Sequence, residues 1–319
     1  MFIVNFYNKN LLSHSEGFLN TNINNILDSE EVNYRYNAHN PYSIDLKKIT
    51  LNKVGLKDDS FADYAFIEKN ITDSIKLINK NNSLNSKYIP KDLSTIDSKF
   101  TTGSLKIRKI VLGHITKLFE EANKDNINTL KINSAYRSYD LQNTLFNNKL
   151  AQQKKIYSDN KEAYNKASQV VAIPGTSEHQ AGIALDLSTK SLNYTLVEDF
   201  SNTPEGNWLD DNCWKFGFVV RYPKSKTNIT TIIYEPWHIR FIALPHSEIM
   251  FKNKLCLEEY IDFIKNTKLY SFKAFDNKDY KIFYYNRLDP NTHGIDIQKS
   301  KISDITKLNT DEFIITVSF

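Results

Sequence analysis

Seven histidines punctuate this chain of 319 residues, and two of them stand in company that could do chemistry. His179 lies in Ser177-Glu-His-Gln-Ala-Gly-Ile-Ala-Leu-Asp186, and His238 closes Glu235-Pro-Trp-His238. Two imidazoles, an aspartate and a second carboxylate form the donor set of a catalytic zinc site. Such a site has three protein ligands and an open fourth position, whereas a structural site is closed by four. Zinc lowers the pKa of bound water to about 7, which supplies a nucleophile at neutral pH. Glu235, beside the metal rather than on it, suits a general base that passes the proton to a leaving amine. Arg137 supplies a fixed cation for an oxyanion or a carboxylate. His14, His39, His114, His246 and His293 read as surface or satisfied core residues, with His114 inside a helix next to Ile115, at the border between core and surface.

These side chains need elements to position them. With Ile183, Leu185 and Leu187 on one face of a strand from Gly182 to Leu187, Asp186 projects from the other face beside the small Gly182 and Ala184. A buried aspartate there is costly unless a cation meets it. Glu235 and His238 are three apart, so a straight strand sends them to opposite faces. Pro236 cannot donate to a ladder, which predicts that pairing starts after it and that Glu235 curls back from a loop.

Helical spacing of Leu105, Ile107, Ile110, Val111, Ile115, Leu118, Phe119 and Ala122 predicts an amphipathic helix. Residues 129–133 alternate as a strand and run to Arg137. Ser138 then caps a helix whose apolar face includes Leu141, Leu145 and Phe146. Further strands are expected over 217–221, 231–234 and 237–242, then a helix over 257–264 and a β-rich tail. Helices and strands mix without a βαβ repeat, so the fold class is α+β: a small mixed or antiparallel sheet with flanking helices around a zinc cleft. Three regions follow: an N-terminal extension over 1–73, a catalytic domain over 74–245, and a small accessory domain over 246–319.

Composition narrows the function. The net charge of +4 from 41 basic and 37 acidic residues gives no case for a nucleic-acid partner. Cys213 and Cys256 cannot form a disulfide framework and lack metal-ligand spacing, so both are expected to be buried and inert. No window approaches a membrane span, and the apolar start at Met1 is too short for a signal peptide.

Four segments occur together in a familiar order: 134–142, 175–186, 208–223 and 235–241. Over roughly 75–245 the chain resembles VanY-type D-Ala-D-Ala carboxypeptidases, within the zinc peptidases that also include VanX-type dipeptidases and certain phage endolysins. Ser-x-His-x-x-Gly-x-x-x-Asp and Glu-x-x-His are specific as a pair. The resemblance implies that His179, Asp186 and His238 bind Zn2+, that Glu235 is the base, and that Arg137 contacts substrate or oxyanion. It also implies that Ser177, Gln142 and Trp237 line the pocket. The partner would be a peptidoglycan stem peptide or precursor, met outside the cytoplasm by a monomeric enzyme. Trimming that peptide lowers vancomycin binding. Rival readings are an endolysin-type endopeptidase and a non-catalytic, zinc-containing wall-binding module. VanY-type proteins usually carry a membrane anchor or signal, which this sequence does not show, and residues 1–73 have no evident counterpart.

Overall fold

A computed structural model describes residues 64–289 and 299–319, which divide into two compact units. One comprises 74–260; the other joins 64–73 to 261–319. Most of the expected N-terminal extension, with His14, His39 and His293, lies outside the described residues. The α+β class is as expected, with every strand pairing between named strands antiparallel.

The larger unit starts with a short ribbon, β1 (Leu93–Thr95) against β2 (Lys106–Arg108). Helix α1 (Lys109–Lys124) follows, burying Val111, Ile115, Leu118, Phe119 and Ala122 along one stripe. Each large apolar side chain so buried contributes about 1.5–3 kcal/mol. Leu105 and Ile107 precede the helix instead of opening it. Arg108 is extended and its Nε pairs with Asp92 at 2.9 Å, so the chain here is held as a ribbon. Strand β3 (Leu130–Ser134) leads to α2 (Tyr139–Gln153), and the Ser138 side chain accepts a hydrogen bond from the Leu141 amide as the expected cap. The predicted apolar face of α2 is only partly right: Phe146 and Gln142 are buried, whereas Leu141 and Leu145 are exposed. Helix α3 (Asn160–Val170) packs beside α2 through Phe146 and Tyr164.

A turn of 3-10 helix (Glu178–Ala181) then enters β4 (Ala184–Thr189). Gly182 sits between them rather than in the strand. Its φ of +65° favours glycine, and an added Cβ would stand 3.1 Å from the Arg108 and Leu93 side chains, which would have to give way. After α4 (Pro204–Asn212) come β5 (Phe218–Tyr222) and β6 (Glu235–Phe241), giving a four-stranded sheet in the order β3-β4-β6-β5. Residues 231–234 are not a strand. Thr231 takes a left-handed conformation after a single helical turn, and the Ile233 amide bonds to the Gln169 carbonyl. Ile183, Leu185 and Leu187 join Ile132, Phe218, Ile239 and the α1 stripe in one core.

The unit continues past residue 245 through α5 (His246–Asn253) into α6 (Leu257–Thr267). Ser247 Oγ donates to the Trp214 carbonyl at 2.8 Å, and Tyr260 meets His246 at 2.6 Å, so this stretch belongs with the first sheet. The division therefore falls after residue 260, not after 245 as the sequence suggested. In the second unit β7 (Leu269–Lys273), β8 (Asp279–Asn286), β9 (Ile302–Lys307) and β10 (Glu312–Ser318) pair in the order β7-β8-β10-β9. Thr72 ties the preceding chain to it by a 2.6 Å hydrogen bond to Asp304. Cys213 and Cys256 are free and buried, as expected. No helix among the described residues is long and apolar enough to cross a membrane.

Candidate metal centre

The middle strands bring the predicted residues together. Asp186 on β4 lies opposite His238 on β6 in the ladder, so their side chains share a face. His179 arrives from the 3-10 turn that precedes β4. One donor atom from each of His179, Asp186 and His238 falls within 4.8 Å of the others.

Glu235 joins them by a different route from the one expected. It lies within β6, paired with Tyr222, not in a loop. Between the pairs Val220–Ile239 and Tyr222–Glu235 the register shifts: two steps along β5 answer four along β6. The irregularity lies in the stretch that carries Glu235 and His238, where strict alternation of faces does not hold. Glu235 Oε2 stands 3.6 Å from His238 Nδ1, and its carboxylate makes no hydrogen bond among the described residues.

Hydrogen bonding fixes the two imidazoles differently. His179 Nδ1 donates to the Ala135 carbonyl at 2.6 Å, leaving the Nε2 lone pair 3.2 Å from Asp186 Oδ2. That Nε2 is buried without a partner in hydrogen-bonding geometry. Burial first, then the charge of Arg137, lowers the His179 pKa to about 4, so the ring is neutral and able to ligate. His238 points Nδ1 at Asp186 Oδ1, 3.0 Å away, and Nε2 at Glu178 Oε2, 3.4 Å away. Burial alone would lower its pKa, but hydrogen bonds to Asp186 and Glu178 and the nearby carboxylate charges raise it to about 9, so a cation bound at Nδ1 would displace a proton from this ring.

Burial opposes ionisation of Asp186, yet His179, His238 and Arg137 hold its carboxyl well below the usual range. Glu235 goes the other way, pushed up to about 8 chiefly by burial. A buried imidazole nitrogen with a free lone pair and three carboxylates around a second imidazole fit a divalent cation. Its donors would be His179 Nε2, an Asp186 oxygen and His238 Nδ1.

Arg137 donates from Nη2 to Asp186 at 3.0 Å and from Nη1 to Gln142 at 3.1 Å, while its buried Nε has no partner. Gln142 is held in turn by a 2.7 Å bond to the Ala172 carbonyl. Ser177 is buried immediately before Glu178, and Trp237 is buried in the main core cluster. Sequence reasoning missed Glu178, Arg221 and Arg240, all buried beside the site. Glu178 stands inside the first motif, between Ser177 and His179, and that position was the available signal.

The VanY family, described as D-alanyl-D-alanine carboxypeptidase, matches residues 104–244. A putative carboxypeptidase of Bacillus subtilis (strain 168) is 36% identical over 195 residues, covering 60% of this chain and 68% of its own. Over the first three curated relatives it matches, the chain spans 62 to 68% of their length. The solved structure of the LdcB LD-carboxypeptidase aligns at 35% identity with a TM-score of 0.54, covering 65% of this chain and 92% of that one. A mutant of the vancomycin resistance D,D-pentapeptidase VanY in complex with Zn(II) aligns at 32% identity with a TM-score of 0.51, covering 59% and 98% respectively. Sequence and structure agree on one assignment: this chain belongs to the VanY family of D-alanyl-D-alanine carboxypeptidases.

Proposed function

We propose that the protein is a zinc-dependent D,D-carboxypeptidase that releases the terminal D-alanine from peptidoglycan stem peptides ending in D-Ala-D-Ala. The observation that carries this reading is the buried His179 Nε2, without a hydrogen-bond partner and facing Asp186, with His238 and Glu235 alongside. His179, Asp186 and His238 would hold the zinc. When bound, zinc supplies a Lewis acid and lowers the pKa of water to about 7.

The chain's own groups do the rest. Glu235, freed of hydrogen bonds and made more basic by burial, takes the proton of the attacking water and hands it to the departing D-alanine amine. Arg137, steadied by Gln142 and Asp186, offers its remaining N–H to the substrate oxyanion or terminal carboxylate. Ser177, Gln142 and Trp237 are proposed to border the bound peptide.

A second reading is favoured by one observation: the LD-carboxypeptidase structure is as similar to this chain as the D,D-enzyme. On that reading the scissile bond joins an L-configured centre to a terminal D-residue. Purified protein incubated with synthetic penta- and tetrapeptide stems, with zinc or with chelator, separates the two. D-Alanine released from the pentapeptide, and abolished by chelator, is the expected result. Release confined to the tetrapeptide establishes the second reading, and no zinc-dependent release from either stem refutes both.

A further inference from the structure

One buried carboxylate beside His238 has no part in this mechanism. Glu178 receives two guanidinium hydrogen bonds on Oε1, from Arg221 Nε at 2.7 Å and Arg240 Nη1 at 2.8 Å. Charge-assisted bonds of this kind hold orientation as well as position. They turn the second oxygen, Oε2, towards His238 Nε2.

Both arginines are anchored by residues distant in the chain. Arg221 forms a fork with Glu258 on α6, Nη1 to Oε2 at 2.9 Å and Nη2 to Oε1 at 2.7 Å. Arg240 Nη2 donates to the carbonyls of Ser74 and Lys76 at 3.0 and 2.9 Å. Glu258, Ser74 and Lys76 all lie outside the 104–244 stretch matched by the family.

Fold stability is a weak reason to keep such a cluster, because well-packed apolar groups commonly do as well in place of a buried ion pair. Its geometry has a clearer use. A neutral imidazole offers a lone pair on Nδ1 only when its proton sits on Nε2, and a neighbouring acceptor decides which nitrogen keeps the proton. An ionised carboxylate accepts and never donates.

We propose that Glu178 is a positioning residue of the metal centre: Oε2 keeps the His238 proton on Nε2 and aims Nδ1 at the site shared with Asp186, and Glu258 holds Glu178 in place through Arg221. The proposal rests on the zinc reading above. Glu178→Gln probes it directly. If the amide oxygen stays with the two arginines, the amide NH2 faces His238 Nε2 and drives the imidazole proton onto Nδ1, where it blocks ligation.

Zinc affinity by chelator competition, and the thermal midpoint of the metal-free full chain, are measured for wild type, Glu178→Gln, Glu258→Gln and Glu248→Gln. Glu248 is a buried acid on α5, paired with Lys252, and serves as control. Zinc affinity is expected to fall about 10- to 100-fold in Glu178→Gln and about tenfold in Glu258→Gln, the range for partners that orient metal ligands. It should not change in Glu248→Gln, whatever its thermal midpoint does. Wild-type zinc affinity in folded Glu178→Gln overturns the proposal, as does an equal loss in the Glu248 control. Should Glu178→Gln fail to fold, Glu258→Gln decides: weakened affinity supports the relay and unchanged affinity overturns it. A wild type that takes up no zinc refutes the metal reading itself, a result distinct from all of these.

Discussion

His238 stands between two buried glutamates that have opposite surroundings. On the Nε2 side, Glu178 is saturated by two guanidiniums, which hold its carboxyl well below the usual range although burial alone would raise it. On the Nδ1 side, Glu235 has no hydrogen bond among the described residues, and burial lifts it to about 8. The same residue type, buried in both places, is held between two guanidiniums in one and left without a hydrogen bond in the other, as the proposed proton acceptor requires. Partners, not burial, make the difference. A carboxylate whose lone pairs are all engaged has nothing left to offer a substrate, and one left unpaired is costly unless chemistry uses it.

That contrast can be broken from its pivot outward. His238→Ala removes the group both glutamates address, and most of the zinc should be lost with it. Metal analysis after gel filtration reads the stoichiometry, and full retention would undo the ligand assignment. Glu235→Ala should keep its zinc and lose about 100- to 10,000-fold in kcat, the span of a general base. Near-normal turnover in that variant would move the proton transfer elsewhere. Arg137→Ala should lose about 100- to 1,000-fold in turnover, as when an oxyanion donor is removed. Steady-state kinetics on the pentapeptide check both variants.

The smallest effect calibrates burial alone. His246 is fully buried, no carboxylate contributes to its titration, and burial lowers its pKa to about 3. Between that value and the unfolded 6.5, the unfolded state binds more protons, so stability falls as pH drops through this window. From pH 7 to pH 5 the loss should be about 2 kcal/mol, at 1.36 kcal/mol per pKa unit. Thermal midpoints of wild type and His246→Gln across that range test it; parallel slopes would show that His246 does not titrate this way.

Much of the candidate site could be read from the sequence because the proposed ligands and base sit in two short motifs, where spacing within a few residues carries the information. The clamp was hidden because its members are joined only by folding. Glu178 lies 43 residues from Arg221 and 62 from Arg240. A lone Arg in Phe218-Val-Val-Arg-Tyr222 or in Glu235-Pro-Trp-His-Ile-Arg-Phe241 reads by default as solvent-facing, since charged side chains are almost never fully buried unless paired. Both are buried here. On α2 the periodicity misled in the opposite sense: Leu141 and Leu145 are exposed, while the polar Gln142 takes the inward place and reaches Arg137. A polar residue tethered by a long-range hydrogen bond outranks an apolar one with nothing to cover it.

The extra residues in β6 also bear on how this strand tolerates change. The spacing between Glu235 and His238 matters more than the identity of Pro236, whereas Trp237 is fixed by its place in the core, so the strand should accept a substitution at Pro236 more readily than a deletion there. Removing Pro236 would shorten the span by one residue and should turn Glu235 away from His238, leaving the proposed ligands in place and the proposed base out of reach.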